Sequence, residues 1–257
     1  MTLLLGVFAL AMRAPWPRSR TETGHIAVAG LLVHAGYLAG VFGAIHQGVA
    51  AGVMALIAGL QPVLTAIAAG PLLGERVRAR QWLGLALGLV GVALVVQHRL
   101  RLDGASIAGY LLAAMALASI TVGTVYQKRF CSHMDLRSGG VIQFASAALA
   151  MAVCAPFFET MVVHWTPQFI AALAWLVLVL SLGAITLLYL LIRRGAASRV
   201  SSLFYLVPPT TALMAYFLFG ERLTGLALAG MVLTVIGVGL VVTAPGAKPG
   251  RARLRVR

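Results

Sequence analysis

The chain has 257 residues, of which 61% are apolar and only 10% charged, and its mean hydropathy is +0.97. An ordinary soluble domain carries about 25% charged residues and needs a polar exterior, so this composition excludes a soluble enzyme, a disordered chain and a nucleic-acid-binding domain. The net charge of +14 lies largely in short breaks between apolar runs, where a membrane protein keeps its cytoplasmic charge.

A spanning helix needs about 20 mostly apolar residues. In chain order, the runs 26–46, 49–72, 80–97, 105–127, 139–158, 168–191, 197–219 and 223–243 meet that length. Residues 1–12 are also apolar, but as a helix they reach only about 18 Å. Basic residues follow this run instead of preceding it, the reverse of a signal peptide, and it reads as the tail of a further spanning helix.

The breaks fall into two alternating sets. The first comprises 13–25, 73–80, 128–138, 192–199 and the residues after 243; it holds 17 of the 20 Lys and Arg residues. The other set holds Arg99, Arg101 and Arg222. Basic residues mark the cytoplasmic side, which puts the first set and the C-terminus in the cytoplasm. Cys131 and Cys154 are too few for a disulfide framework and read as free thiols without a metal role.

The chain repeats itself. Pro62-Val63-Leu64-Thr65-Ala66 leads to Gly74-Glu75-Arg76, then Gly84, Gly91 and Val95-Val96. Pro208-Pro209-Thr210-Thr211-Ala212 leads to Gly220-Glu221-Arg222, then Gly230, Gly237 and Val241-Val242, each 146 residues on. Self-similarity at a fixed offset marks a structural repeat. The charge count puts Glu75-Arg76 inside and Glu221-Arg222 outside, so the copies have opposite topology, as in many secondary transporters. The expected organisation is a first repeat over 1–97, a linker over 98–104, a second repeat over 105–243 and a basic cytoplasmic tail over 244–257. The second repeat contains five spans, the first three and a fragment. Alignment by the offset leaves about 42 residues of a complete first repeat without a counterpart ahead of Met1, through a true truncation or a misassigned start.

With Pro62 before Leu73-Gly74-Glu75-Arg76 and Pro208 before Phe219-Gly220-Glu221-Arg222, the chain resembles the EamA-type transporters of the drug/metabolite transporter superfamily. The resemblance covers essentially the whole chain. It implies an all-α polytopic membrane protein with an inverted five-plus-five helix repeat, here about eight full spans and a partial one.

Pro62, Pro208 and Pro209 each remove a backbone donor half-way along a helix. Freed carbonyls at membrane depth are tolerated only beside protein or water, so these kinks either line a cavity or serve packing. His34 lies deep within a span, with Tyr37 on the same face. Gln61 and Thr65 flank the Pro62 kink, and Ser202 and Tyr205 share a face of their helix, while Tyr110 and Tyr189 are further polar groups in apolar runs. Bare polar groups facing lipid are costly. As a set, these eight residues suggest an uncharged, hydrogen-bonding cavity; singly, each could serve interhelical bonding alone. Gly74 and Gly220 read as helix caps, with Glu75 and Glu221 in turns that pin helix ends. The other histidines, His25 among them, fall near helix ends and read as solvated.

The resemblance implies a secondary transporter exporting a small metabolite or drug by alternating access, in the cell (inner) membrane. The implied partners are a small-molecule substrate and the lipid bilayer, with no nucleic acid, and no cofactor or metal is expected. The alternatives are a non-transporting membrane subunit or inactive fragment and, with no catalytic cluster visible, an intramembrane enzyme.

Overall fold

The computed structural model describes residues 1–97, 106–158, 163, 165–178, 183, 187, 190–191, 195–219 and 223–243. The expected linker and basic tail, together with Tyr189, Gly220, Glu221 and Arg222, lie outside the described residues.

The described elements are helical. They are α1 (Thr2–Ala11), α2 (Arg20–His46), α3 (Ala51–Leu73), α4 (Ala79–Val96), α5 (Ile107–Phe130), α6 (Leu136–Phe157), α7 (Pro167–Leu178), α8 (the consecutive segments Ala197–Ser202, Leu203–Leu206 and Val207–Phe219) and α9 (Gly225–Val242). Among the described residues, six helices are long and apolar enough to cross a membrane: α2, α3, α4, α5, α6 and α9. Their polarity is inverted relative to a soluble fold. Phe42, Leu111, Leu149 and Val232 stand exposed, while Gln61, Thr65, Gln143 and Thr234 are buried. That is the arrangement hydrocarbon requires.

Helix ends follow local chemistry. Ser19 caps α2 by accepting from the Glu22 amide at 3.0 Å, and Glu22 Oε2 accepts from the Arg18 amide at 3.1 Å. This pair starts α2 at Arg20, six residues ahead of the apolar run that begins at Ile26. Asp135 caps α6 through the amides of Arg137 and Ser138. Gly74 ends α3 at φ +68°, a left-handed conformation that favours glycine.

Both proline sites break their helices. A turn at Gly59-Leu60 interrupts α3, and Pro62 sits in the first turn of the segment Gln61–Leu73. In α8 a 3₁₀ stretch, Leu203–Leu206, precedes the segment Val207–Phe219 that carries Pro208 and Pro209. Proline is tolerated in a first turn, where its missing donor would be unpaired anyway.

The helices form two compact units. Unit 1 holds residues 1–39 and 122–195. In it, α6 packs against α1 and α2. A Cβ on Gly30 would fall 2.5 Å from the Gln143 backbone, so glycine is what lets α2 and α6 approach this closely. One turn away, the Ser146 hydroxyl donates to the Ala27 carbonyl at 3.1 Å.

Unit 2 holds residues 40–121 and 196–257. Its most extensive described pair is α4 against α9. A Cβ on Gly84 would fall 2.5 Å from the Gly237 carbonyl oxygen, and one on Gly237 would fall 2.5 Å from the Gly84 carbonyl oxygen. The same reciprocity joins Gly91 and Gly230, at 2.5 and 2.6 Å. The Thr234 hydroxyl, between these two crossings, is satisfied by the Gly230 carbonyl at 2.8 Å. Beside this pair, Ala66, Leu85, Val92, Tyr205, Val238 and Val241 form an apolar cluster.

Candidate functional site

The polar residues singled out in the sequence fall into two groups, one in each unit. In unit 1, His34 lies within a π-helical turn, Leu31–Gly36, inside α2. Single π-turns widen a helix locally and recur at functional sites. The His34 ring stacks on Phe144 of α6, with centroids 4.3 Å apart and planes at 19°. It borders a cavity of about 240 Å³ with Leu38, Phe144, Ala147 and Met151. Tyr37, three residues on, is half-buried.

In unit 2, α3 and the first segment of α8 pack together at the proline break. Gln61 Nε2 donates to Ser201 Oγ at 3.5 Å. Thr65 is fully buried, and its hydroxyl has no hydrogen-bond partner among the described residues. The Tyr205 ring lies against Gly88, where a Cβ would overlap it, and the Tyr205 hydroxyl also lacks a partner among the described residues. Ser202 is satisfied by the Arg199 carbonyl at 2.7 Å, and Tyr110 is half-buried. Buried polar groups are ordinarily paired. The Thr65 hydroxyl near the α3 break and the Tyr205 hydroxyl in the α8 break are thus two buried groups each able to pair with an uncharged polar group or water. Arg199, on the same segment of α8 as Ser201 and Ser202, has its guanidinium Nε buried.

The turn motif has a defined role at Glu75. Its Oε1 accepts from the Ala197 amide at 2.9 Å, and its Oε2 from the Ser198 hydroxyl at 3.4 Å. The carboxylate thus anchors the start of α8, while Arg76 is exposed. The sequence marks Glu75 as a turn residue, but nothing local in it marks a partner so far along the chain.

The expectation that His25 is solvated is corrected: the residue is half-buried in a second cluster. His25 Nδ1 lies 2.6 Å from the Tyr126 hydroxyl, and its ring stacks on Phe130 at 4.6 Å and 6°. Arg129 lies over the same Phe130 ring at 5.5 Å. His25 thus ties α2 to α5 within unit 1. The signal available was weak: two aromatic residues one turn apart at the basic end of α5. Among the described residues, no group of three or more His, Cys, Asp or Glu could hold a metal ion.

Comparison with known proteins bears on the whole chain. The model of the EamA-like transporter family matches residues 1–97 and 107–243. An uncharacterized transporter, YvbV, of Bacillus subtilis (strain 168) is 30% identical over 204 residues, which are 79% of this chain and 66% of that protein, just short of two thirds. A protein of Escherichia coli (strain K12) described as a probable amino-acid metabolite efflux pump is 29% identical over 220 residues, 81% of this chain and 73% of that one. One crystal structure superposes with a TM-score of 0.78, covering 94% of this chain and 85% of the other at 23% identity; that likeness concerns the fold alone.

Proposed function

Because the chain belongs to the EamA-like transporter family, we propose that it is a secondary transporter exporting a small metabolite by alternating access, built from two inverted repeats. The name of the Escherichia coli relative makes amino-acid metabolites the first class to test. The chain carries no P-loop, so the driving force in this reading is an ion or substrate gradient.

The observation that carries the repeat is the crosswise glycine register. The offset of 146 relates Gly84 to Gly230 and Gly91 to Gly237. The contacts join Gly84 to Gly237 and Gly91 to Gly230. Pairing of each residue with the counterpart of the other is the signature of a two-fold, self-complementary contact. The axis of such a pair would pass near Gly88 and its counterpart Thr234. The helix breaks support the same reading, since Leu60 before Pro62 and Leu206 before Pro208 are also related by 146. In this reading the runs 168–191 and 197–219 complete eight spans. The basic breaks and the C-terminus are cytoplasmic, and the protein lies in the inner membrane.

The residues proposed to contact substrate are His34 and Tyr37 in unit 1 and Gln61, Thr65, Tyr110, Ser202 and Tyr205 in unit 2, with Tyr189 retained from the sequence. Thr65 and Tyr205 carry the greatest weight, because their buried hydroxyls are unpaired among the described residues. The test is an untargeted comparison of exported metabolites between deletion and overexpression strains. A compound depleted from the medium of the first and enriched in that of the second supports export. Identical profiles would leave the non-transporting subunit as the better reading.

A further inference from the structure

Unit 1 contains a second cavity, of about 330 Å³, that plays no part in the account above. One wall is the α1–α2 connection and the first turns of α2, with Trp16, Arg18, Glu22 and Ile26. The other is the α5–α6 connection, with His133, Met134 and Asp135, and Ser138 of α6. Hydrogen bonds fix both walls. The Ser138 hydroxyl donates to the Pro15 carbonyl, joining the two walls, Ser19 and Glu22 lock the start of α2, and Asp135 holds the start of α6. A preformed pocket binds at lower ordering cost than one that must assemble.

The charge left over in this pocket is mixed. Both Asp135 oxygens are engaged by Arg137, at 3.1 and 3.0 Å. The Ser138 hydroxyl is engaged by Pro15. Glu22 Oε2 accepts from the Arg18 amide, while Oε1 has no partner among the described residues. The Arg18 guanidinium and the His133 ring also make no hydrogen bond to a described residue. The pocket therefore offers the exposed Arg18 guanidinium on one wall, the exposed His133 ring on the other, one carboxylate oxygen, and an apolar lining from Trp16, Ile26 and Met134.

We propose that this pocket is a loading site for a zwitterionic α-amino acid with an apolar side chain. The carboxylate would lie toward Arg18 and His133, the ammonium toward Glu22, and the side chain on Trp16. A dicarboxylate would meet the Glu22 charge and a polyamine would meet Arg18, and like charges brought together in a pocket are costly. The volume lies at the small end of ligand pockets, about 300–1,000 Å³, which suits a free amino acid. The inference rests on the transporter reading for its purpose. In the orientation proposed above, both walls face the cytoplasm, the side from which an exporter loads.

Binding of L-leucine to the purified full chain in nanodiscs tests it, beside L-leucine methyl ester and N-acetyl-L-leucine. The free amino acid should bind saturably, and each blocked derivative, lacking one charge, at least about tenfold more weakly. Arg18→Gln and Glu22→Gln should weaken L-leucine binding by a similar factor, and because both keep an acceptor oxygen at position 22 for the Arg18 amide, any fall in melting temperature should be small. The derivative arm needs no variant, so it stands even if a substitution misfolds. Saturable leucine binding that neither variant weakens, equal binding of all three ligands, or no binding at millimolar concentration would overturn the site. Efflux measured on the same variants separates the two readings. Wild-type efflux with unaltered apparent affinity in both variants removes the loading site and keeps the transporter. Charge-dependent binding without any wild-type efflux keeps the site as a binding pocket and removes the transporter.

Discussion

The carboxylate of Glu75 accepts a hydrogen bond from the backbone amide of Ala197, 2.9 Å away and 122 residues along the chain. Helix starts leave amides without intrahelical partners, and here the glutamate of the turn after α3 supplies one for α8. An acidic group at a helix N-terminus also sits favourably in the helix dipole. Glu75→Ala should therefore cost about 1 kcal/mol. For a chain of this size that is a fall of roughly 2–4 °C in Tm, to be read by thermal unfolding in detergent. Glu75→Gln, which keeps one acceptor oxygen, should lose less. In the inverted-repeat reading, Glu221 is the counterpart of Glu75, and its alanine substitution should cause a loss of similar size.

The α4–α9 crossing makes a sharper demand. At Gly84 and Gly237 a new Cβ would meet backbone atoms at 2.5 Å, which cannot yield as a flexible side chain can. Gly84→Ala and Gly237→Ala should each destabilise by about 1–3 kcal/mol and depress transport. Gly239, on the same helix as Gly237, has open space around its would-be Cβ. Gly239→Ala should be neutral or slightly stabilising. Equal losses at 237 and 239 would show that the crossing is not what constrains these glycines.

Acid should expose the α6 cap. The Asp135 carboxyl is held below its ordinary value of 3.8, chiefly by the side-chain hydrogen bond from Arg137, against an upward push from burial, with further lowering from the backbone amide and charge of Arg137. A depressed carboxylate contributes stability above its unfolded-state value, and that contribution is lost as pH falls through the folded-state value below it. Asp135→Ala should cost about 1 kcal/mol at pH 7, with the gap from wild type closing as pH falls below 3.8.

Cys131 should be silent at neutral pH. Burial first, and the negative charge of Glu22 second, push its thiol up from 9.0 to about 11. The thiolate is the reactive form, so maleimide should label Cys131 at pH 7.5 only after denaturation. Its effect on stability has the opposite sense to that of Asp135. The contribution is present below pH 9 and is lost as pH rises from 9 toward 11, since the folded state there holds its proton more tightly. Fast labelling of the native protein at pH 7.5 would contradict the buried placement.

Much of this was legible along the chain because it depends on neighbours in sequence. Pro62 and Pro208 announced the helix breaks, Gly74 the end of α3, and the apolar run lengths the spanning helices. Gly84, Gly91, Gly230 and Gly237 stand out in the sequence as repeat positions, but nothing local shows that they face one another across a helix crossing. What stayed hidden depends on distant pairs of ordinary residues. Nothing local marks Ala197 as the partner of Glu75, or Tyr126 as the partner of His25. The start of α2 was placed too late because Arg20–Gly24 is polar, yet the Ser19 cap carries the helix through it. The π-turn around His34 had no sequence signal, since its spacing departs from the helical period used to find faces.

Orientation can be tested directly on described turns. With single cysteines introduced in a Cys131→Ser, Cys154→Ser background, Arg76→Cys should be protected from an impermeant thiol reagent applied outside, and Thr166→Cys should be labelled. The reverse pattern would invert the topology drawn from the 17 basic residues of the first loop set.

The central claim is transport, and reconstitution tests it most directly. The full chain in proteoliposomes loaded with unlabelled L-leucine should accumulate radiolabelled L-leucine from outside by counterflow. Gly84→Leu protein reconstituted to the same density should not. Uptake no greater than in protein-free liposomes, repeated across a panel of amino acids and the metabolites found in the efflux comparison, would contradict the account.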